Sequence, residues 1–288
     1  MMLATRASFY NLLTVAAVSV GATQAFADAK LKPQQLAVHA NCERAYLKFF
    51  KSDDLDFRIV FGYKDSRPAR LVTDRYERLL MIGKLRALGF VRDDNDDELM
   101  RLQIEGPDHL TKRIQLRIVE SSVGADDEIN RQNPFQQWQS AHALELFQDG
   151  IKNGNAIFYV GHSRKGGGPD FSPPRCTKDG HVDYGWYLSD KTALNQTAQA
   201  MKQAKVDKIL IGLFSCDSRR HFSGILSGIS PSRSKKGISS TSIGFVFNKK
   251  PIYYIESVNE TVSAIQNLIT FKCAPESMQP GTQYTNFF

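Results

Sequence analysis

Two apolar runs, residues 156–160 and 209–214, constrain this sequence most, because each stops close to a side chain with reactive chemistry. His162 and a loop with three successive glycines follow the first run, and Cys216 follows the second. Both runs are short and rich in β-branched or aromatic residues, which is typical of strands buried on both faces. The sequence therefore predicts two buried strands, one ending near a histidine and the other near a cysteine.

A helix is predicted between these strands, over residues 189–206. Apolar residues recur at helical spacing between Leu194 and Met201, and a serine and an aspartate just before them offer an N-cap. Strand–helix–strand units are right-handed, so the two strands are parallel and often adjacent. His162 and Cys216 should then face one crevice beyond the carboxyl ends of the strands, where open α/β sheets usually bind ligands.

The first 27 residues have the features of an export signal. Arg6 supplies the positive start, residues 12–22 are mostly small or apolar, and residues 25–27 fit an A-x-A cleavage site before Asp28. This apolar stretch is shorter than the ~20 residues of a spanning helix, and no later segment approaches that length. We therefore expect an exported chain, periplasmic or secreted, that starts at Asp28 and has no membrane span.

Composition is that of an ordinary globular protein, with 42% hydrophobic and 23% charged residues and a formal net charge of +7. The basic residues are spread along the chain without a helix-turn-helix pattern, so nucleic acid is not an expected partner. No spacing of histidines and cysteines matches a zinc signature, and the acidic run 93–98 lacks the glycine of a calcium loop. We expect neither a metal nor a cofactor, and the sequence does not indicate an oligomeric state.

The chain divides by pattern near residue 110. Helices are predicted over residues 36–50 and 73–88, and strands over 57–61 and 99–104. Residues 28–110 are therefore interpreted as a small α/β N-terminal region. From Lys112 onward strands and helices alternate steadily, which predicts a doubly wound, mostly parallel sheet for residues 111–288.

Four cysteines, Cys42, Cys176, Cys216 and Cys273, occur in this chain. Two disulfides are one interpretation for an exported protein. If Cys216 is a working thiol, one disulfide and one spare cysteine remain, and the sequence leaves the pairing open. Cys42 and Cys273 both belong to predicted helical regions and could tie the two ends of the chain together.

The order of elements resembles the caspase-like cysteine peptidases, a superfamily that includes clostripain, gingipain and legumain. In this chain His162 precedes Cys216 by 54 residues, and in caspases the separation is about 50. The resemblance covers about residues 112–273 and implies a caspase-like domain, thiol peptidase activity and a peptide or protein substrate. Two positions depart from the family pattern: Ser163 replaces the glycine after the histidine, and Phe214 replaces a polar specificity residue.

The chemistry of such a pair assigns a role to each residue. Cys216 would be the nucleophile, and His162 would carry the proton to the leaving amine. A helix is predicted to start near Asp217, and its N-terminal N–H groups should lower the pKa of the Cys216 thiol. The N–H of Cys216 and one from the glycine loop would form an oxyanion hole. Further oxyanion or substrate-binding candidates are Ser163, Gly166, Gly167, Gly168, Asp170 and Asp217.

Other functions remain open from the sequence alone. Gly161 to Ser163 resembles the start of the G-x-S-x-G elbow of α/β-hydrolases, although Lys165 stands where that crowded turn needs a small residue. A non-catalytic exported binding protein could keep the fold and use the glycine loop as a ligand clamp. Lesser candidates for the same crevice, more typical of packing or loop residues, are His181, His221 and Cys176.

Overall fold

The structure is a computed structural model that describes residues 33–64, 74–229, 242–272 and 282–285. Its strands are β1 (Asp54–Phe61), β2 (Val91–Arg92), β3 (Leu99–Glu105), β4 (Thr111–Val119), β5 (Ala156–Val160), β6 (Lys208–Phe214), β7 (Ser242–Asn248) and β8 (Thr282–Thr285). Its helices are α1 (Pro33–Phe49), α2 (Asp74–Ala87), α3 (Asp127–Gln132), α4 (Gln136–Asn153), α5 (Tyr184–Ser189), α6 (Thr192–Lys202), α7 (Ser218–Leu226) and α8 (Tyr254–Ile269). The predicted signal peptide and Cys273 lie outside the described residues.

The strands form one sheet in the order β2-β3-β4-β1-β5-β6-β7-β8. All neighbours from β4 to β7 are parallel, whereas β2, β3 and β8 pair in antiparallel fashion at the edges. The parallel part has the order 2-1-3-4-5 of one common doubly wound sheet. The predicted mostly parallel α/β fold is therefore confirmed. Across the described ranges, no helix is both long and apolar enough to span a membrane.

Helices cover both faces of the sheet because its central strands are apolar on both sides. All five residues of β5 are buried. Phe158 packs into a core with residues of α1, α2 and α8, and the next residue, Tyr159, packs into a second core with residues of α4, α6 and α7. Continuous apolar runs are thus the sequence signature of these strands.

The strand β1, which belongs to the predicted N-terminal region 28–110, lies inside this sheet. It pairs with β4 on one side and with β5 on the other. The predicted boundary at residue 110 falls in the turn of the β3–β4 hairpin, where the Gly106 N–H donates to the Leu110 carbonyl. Elements from both sides of the boundary therefore belong to one sheet.

The helix predicted over residues 189–206 corresponds to the shorter helix α6, and the separate helix α5 ends where the predicted range begins. Asp183 caps α5 by accepting a hydrogen bond from the Trp186 N–H (2.9 Å). Asp190 accepts from the N–H of Thr192 (2.8 Å), where α6 begins. Asp190, one of the two predicted N-cap candidates, is therefore hydrogen-bonded to the first residue of α6, and the helical crossover between the parallel strands is as expected.

The close packing between neighbouring strands can be tested at Gly212 of β6. It is paired with Phe158, and a Cβ atom at position 212 would lie 2.4 Å from the Phe158 ring. We expect Gly212→Ala to lower the free energy of unfolding by about 1–3 kcal/mol, as overpacking usually does. Urea denaturation measures this change. The control is Gly83→Ala in α2, where the new Cβ would enter open space. This variant should gain about 0.5–1 kcal/mol, and a similar loss in both variants would contradict the packing argument.

Candidate functional site

The pairing of β5 with β6 brings the two predicted site residues to one edge of the sheet. Val160 faces Phe214 in the parallel register, and the N–H of Gly161 donates to the carbonyl oxygen of Phe214 (3.1 Å). His162 and Cys216 each lie two residues beyond this facing pair. The prediction of adjacent parallel strands is confirmed, and both residues follow the carboxyl ends of their strands.

Cys216 carries a free, partly buried thiol that donates a hydrogen bond to the carbonyl oxygen of Ile252 (3.4 Å). Burial raises the pKa of this thiol, and the positive charge of Lys64 acts in the opposite direction without cancelling that effect. The prediction of a lowered pKa is therefore wrong. The helix α7 begins only at Ser218, and the loss of water around the sulfur dominates. Both the ordinary pKa of a thiol and the direction of this shift favour the protonated form at neutral pH.

Two of the four cysteines are free in the structure. Cys176 and Cys216 carry free thiols, and Cys42 is disulfide-bonded. The interpretation of two disulfides is therefore wrong, and the interpretation that leaves Cys216 as a free thiol agrees with the structure.

The loop after β5 turns back through left-handed backbone conformations. The φ angle is 46° at Arg164, 50° at Lys165 and 89° at Gly166. Glycine adopts such angles readily, whereas a non-glycine residue needs support from its surroundings. Part of that support is the Lys165 ammonium, which lies 4.8 Å from the centre of the Tyr184 ring.

The three glycines of this loop use their N–H groups within the loop. Gly166 and Gly168 donate to the carbonyl oxygen of Ser163 (2.8 and 3.1 Å), and Gly167 donates to that of Arg164 (3.0 Å). These amides were predicted as oxyanion donors. In this conformation they are already occupied, so none of the three is available to a substrate. The glycines instead permit close packing of the loop.

Asp170, predicted to contact substrate, anchors the same loop. Its Oδ2 accepts hydrogen bonds from Arg164 Nε and from the Tyr187 hydroxyl, both at 3.0 Å. Arg164 is buried, and its Nη2 also donates to the carbonyl oxygen of Tyr63 (3.4 Å). The carboxylate of Asp170 therefore neutralises the buried positive charge of Arg164, which gives Asp170 a structural role in the loop.

Ser163 is buried, with 4% of its surface exposed, and has right-handed helical backbone angles. An elbow nucleophile needs an exposed hydroxyl on a strained turn. The structure therefore gives no support to Ser163 as a nucleophile.

The lesser candidates lie around the loop in different environments. His181 is exposed, and its carbonyl oxygen accepts from the N–H of Thr177 (2.7 Å). Cys176 Sγ accepts from Arg131 Nη2 (3.4 Å). His221 borders the glycine loop, because its Nδ1 would be 3.7 Å from a Cβ atom on Gly166, and burial lowers its pKa. Of these three candidates, His221 is thus the one that the structure places beside the glycine loop.

A buried polar cluster, missed by the sequence analysis, lies beyond the carboxyl ends of β1 and β4. Lys64 donates to both carboxylate oxygens of Glu77, at 2.5 Å each, and burial raises the pKa of Glu77 to about 7 against the charge of Lys64. Asp74 accepts from the N–H groups of Ser121 and Ser122 (3.0 and 2.8 Å). Burial raises the pKa of Asp74 to about 6. The cluster places the charge of Lys64 close enough to act on the Cys216 thiol.

Asn248, at the end of β7, is a second residue that the sequence analysis missed. It is fully buried and hydrogen-bonds to both Ser215 and Ser218, on either side of Cys216. Asp217, between them, has a left-handed φ of 50°, and its carboxylate lies 3.9 Å from Arg220. The turn that carries the cysteine is thus held from β7.

No protein-family model, curated protein or solved structure matches the chain. Among the described residues, no group of three or more histidines, cysteines and acidic residues is arranged to hold a metal ion.

Asp74 gives the fold a specific pH dependence. Because burial raises its pKa from 3.8 to about 6, the folded protein binds this proton more tightly than the unfolded chain does. The resulting stability is fully present below about pH 4 and is lost as the pH rises through about 6, by on the order of 3 kcal/mol. We expect Asp74→Asn to remove this part of the slope in urea unfolding measured from pH 4 to 7. An unaltered slope in Asp74→Asn would contradict the assignment.

Proposed function

We propose that the protein is an exported caspase-like cysteine hydrolase, a peptidase in which His162 and Cys216 form a catalytic dyad. The observation that carries this proposal is the parallel register of β5 and β6, in which Val160 faces Phe214. Each dyad residue lies two positions beyond this pair, at the edge where doubly wound sheets bind ligands. The resemblance to caspase-like peptidases implies the same order of histidine strand, helix and cysteine strand.

The reaction would begin from a protonated thiol. His162 takes the proton of Cys216 as the sulfur attacks the carbonyl carbon of a bound peptide, and the C=O electron pair moves onto the oxygen. His162 then gives the proton to the leaving amine as the C–N bond breaks, which leaves a thioester on Cys216. Water, deprotonated by His162, hydrolyses the thioester and restores the thiol. These reaction steps require no cofactor.

Two groups would stabilise the charges that form during the reaction. Lys64 acts to lower the pKa of the thiol, so its charge favours the thiolate as it develops. With the glycine amides engaged inside their loop, the backbone N–H of Cys216 becomes the first candidate for the oxyanion. The charge of Lys64 changes the pKa of the thiol less than burial does. Proton transfer to His162 must therefore accompany the attack by the sulfur.

A non-catalytic binding protein with the same fold is the second candidate. The protonated resting thiol and the occupied glycine amides favour it, since both differ from a site already arranged for acyl transfer. The crevice beyond β5 and β6 would then hold a peptide segment without cleaving it.

Hydrolysis of an unbiased peptide library by the purified protein tests the proposal. Cys216→Ala should abolish cleavage, and His162→Ala should lower kcat by about 10²–10⁴-fold, the usual contribution of general acid–base catalysis. Ser163→Ala is the control and should retain cleavage. Cleavage that survives Cys216→Ala would eliminate the cysteine mechanism, and loss in Ser163→Ala alone would favour a serine hydrolase. Peptide binding without cleavage by the unmodified protein would favour the binding protein.

A further inference from the structure

Asn248 uses the full hydrogen-bonding capacity of its side chain beside Cys216. Its Nδ2 donates to the carbonyl oxygens of Ser215 (2.6 Å) and Lys250 (2.7 Å). Its Oδ1 accepts from the N–H of Ser215 (3.1 Å) and from the hydroxyl of Ser218 (2.9 Å). An asparagine amide has two donors and two acceptor sites, and all four are engaged here. The residue is fully buried, so water does not compete for these bonds.

Three of the four bonds hold the turn that carries the cysteine at both of its ends. Ser215 directly precedes Cys216, and Ser218 is the first residue of α7. The N–H of Asn248 adds a fifth bond, to the Ser218 hydroxyl (3.0 Å). Between these ends, Asp217 has a left-handed φ of 50°, a conformation that costs a non-glycine residue on the order of 1 kcal/mol. The turn therefore depends on outside support, and Asn248 supplies it.

We infer that Asn248 is a positioning residue for the nucleophile: its amide fixes the backbone around Cys216 and keeps the sulfur at the sheet edge next to β5. This inference rests on the proposed function of Cys216. Asn248 acts on the turn directly at Ser215 and Ser218 and also through Lys250, whose carbonyl oxygen accepts from the N–H of Asp217 (3.4 Å).

The chemistry of the contacts explains why an amide is needed at this position. Two of its partners are carbonyl oxygens, which accept only, so the group facing them must donate twice. A protonated aspartic acid can donate once, and an ionised aspartate would face both carbonyls with negative charge. Asn248→Asp should therefore keep some of these hydrogen bonds at low pH and lose them when the new carboxyl group ionises. The new charge would also oppose formation of the thiolate of Cys216.

Replacing the amide of Asn248 by a carboxyl group should change the shape of the pH profile of the reaction. Relative to the unmodified protein, Asn248→Asp should lose at least about tenfold in kcat as the pH rises from 5 to 8, with KM much less affected. A tenfold loss corresponds to one broken hydrogen bond to a buried group. Alkylation of Cys216 by iodoacetamide, followed by mass spectrometry over the same pH range, should slow in parallel. Cys176, the second free thiol among the described residues, is the internal reference.

Asn130→Asp is the matched control. Asn130 is also buried and also donates to a backbone carbonyl, that of Gly124 (3.0 Å), but it does not contact the Cys216 turn. The same chemical change there should lower the stability to urea and leave both pH profiles as they are. If Asn248→Asp does not fold, Asn248→Ser, which keeps one donor, should still slow alkylation of Cys216 and not that of Cys176.

The outcomes separate this inference from the proposed function. An Asn248→Asp protein that is folded and follows the unmodified pH profiles would overturn the positioning role, as would an Asn130→Asp protein with the same altered profiles. If the unmodified protein cleaves no peptide, the proposed function fails, and the alkylation profile alone decides whether Asn248 controls the Cys216 turn.

Discussion

The parallel pairing of β5 with β6 is the constraint on which the whole candidate site depends. A parallel pair needs a crossover, and the intervening helices provide it on one face of the sheet. Because both strands run in the same direction, their carboxyl ends meet at one edge, and the register sets His162 and Cys216 at equivalent positions. A shift of one residue would turn every side chain of a strand to the other face of the sheet. The two packed cores therefore fix the site as well as the fold.

Burial and charge compete at Cys216. Burial favours the neutral thiol, and the nearby charge of Lys64 favours the thiolate but is itself shared with Glu77. The balance leaves a protonated thiol that needs a base, which agrees with a role for His162. It also explains why a helix N-terminus alone was a poor guide: α7 begins two residues after the cysteine, and its first turn does not outweigh the lost water.

Much of the sheet could be predicted, because buried parallel strands are continuous apolar runs. The predicted strand 156–160 coincides with β5. The position of β1 between β4 and β5 could not be predicted. The alternation of helices and strands along the chain does not reveal the order of the strands in the sheet. The contact of Lys64 with Glu77 could not be predicted from a local sequence pattern either. Asn248 could have been found, because it follows the apolar run 243–247 in the way that His162 follows 156–160.

The most direct test of the account is to map the adduct of a thiol-reactive peptide probe on the folded, purified chain by mass spectrometry. The protein offers its own comparison, because Cys176 and Cys216 are both free and partly exposed. A nucleophile in a peptide-binding crevice predicts an adduct on Cys216, and the adduct should decrease strongly in His162→Ala. An adduct on Cys176 with Cys216 unmodified, or equal labelling of both thiols in both proteins, would contradict the assignment of Cys216 as the nucleophile.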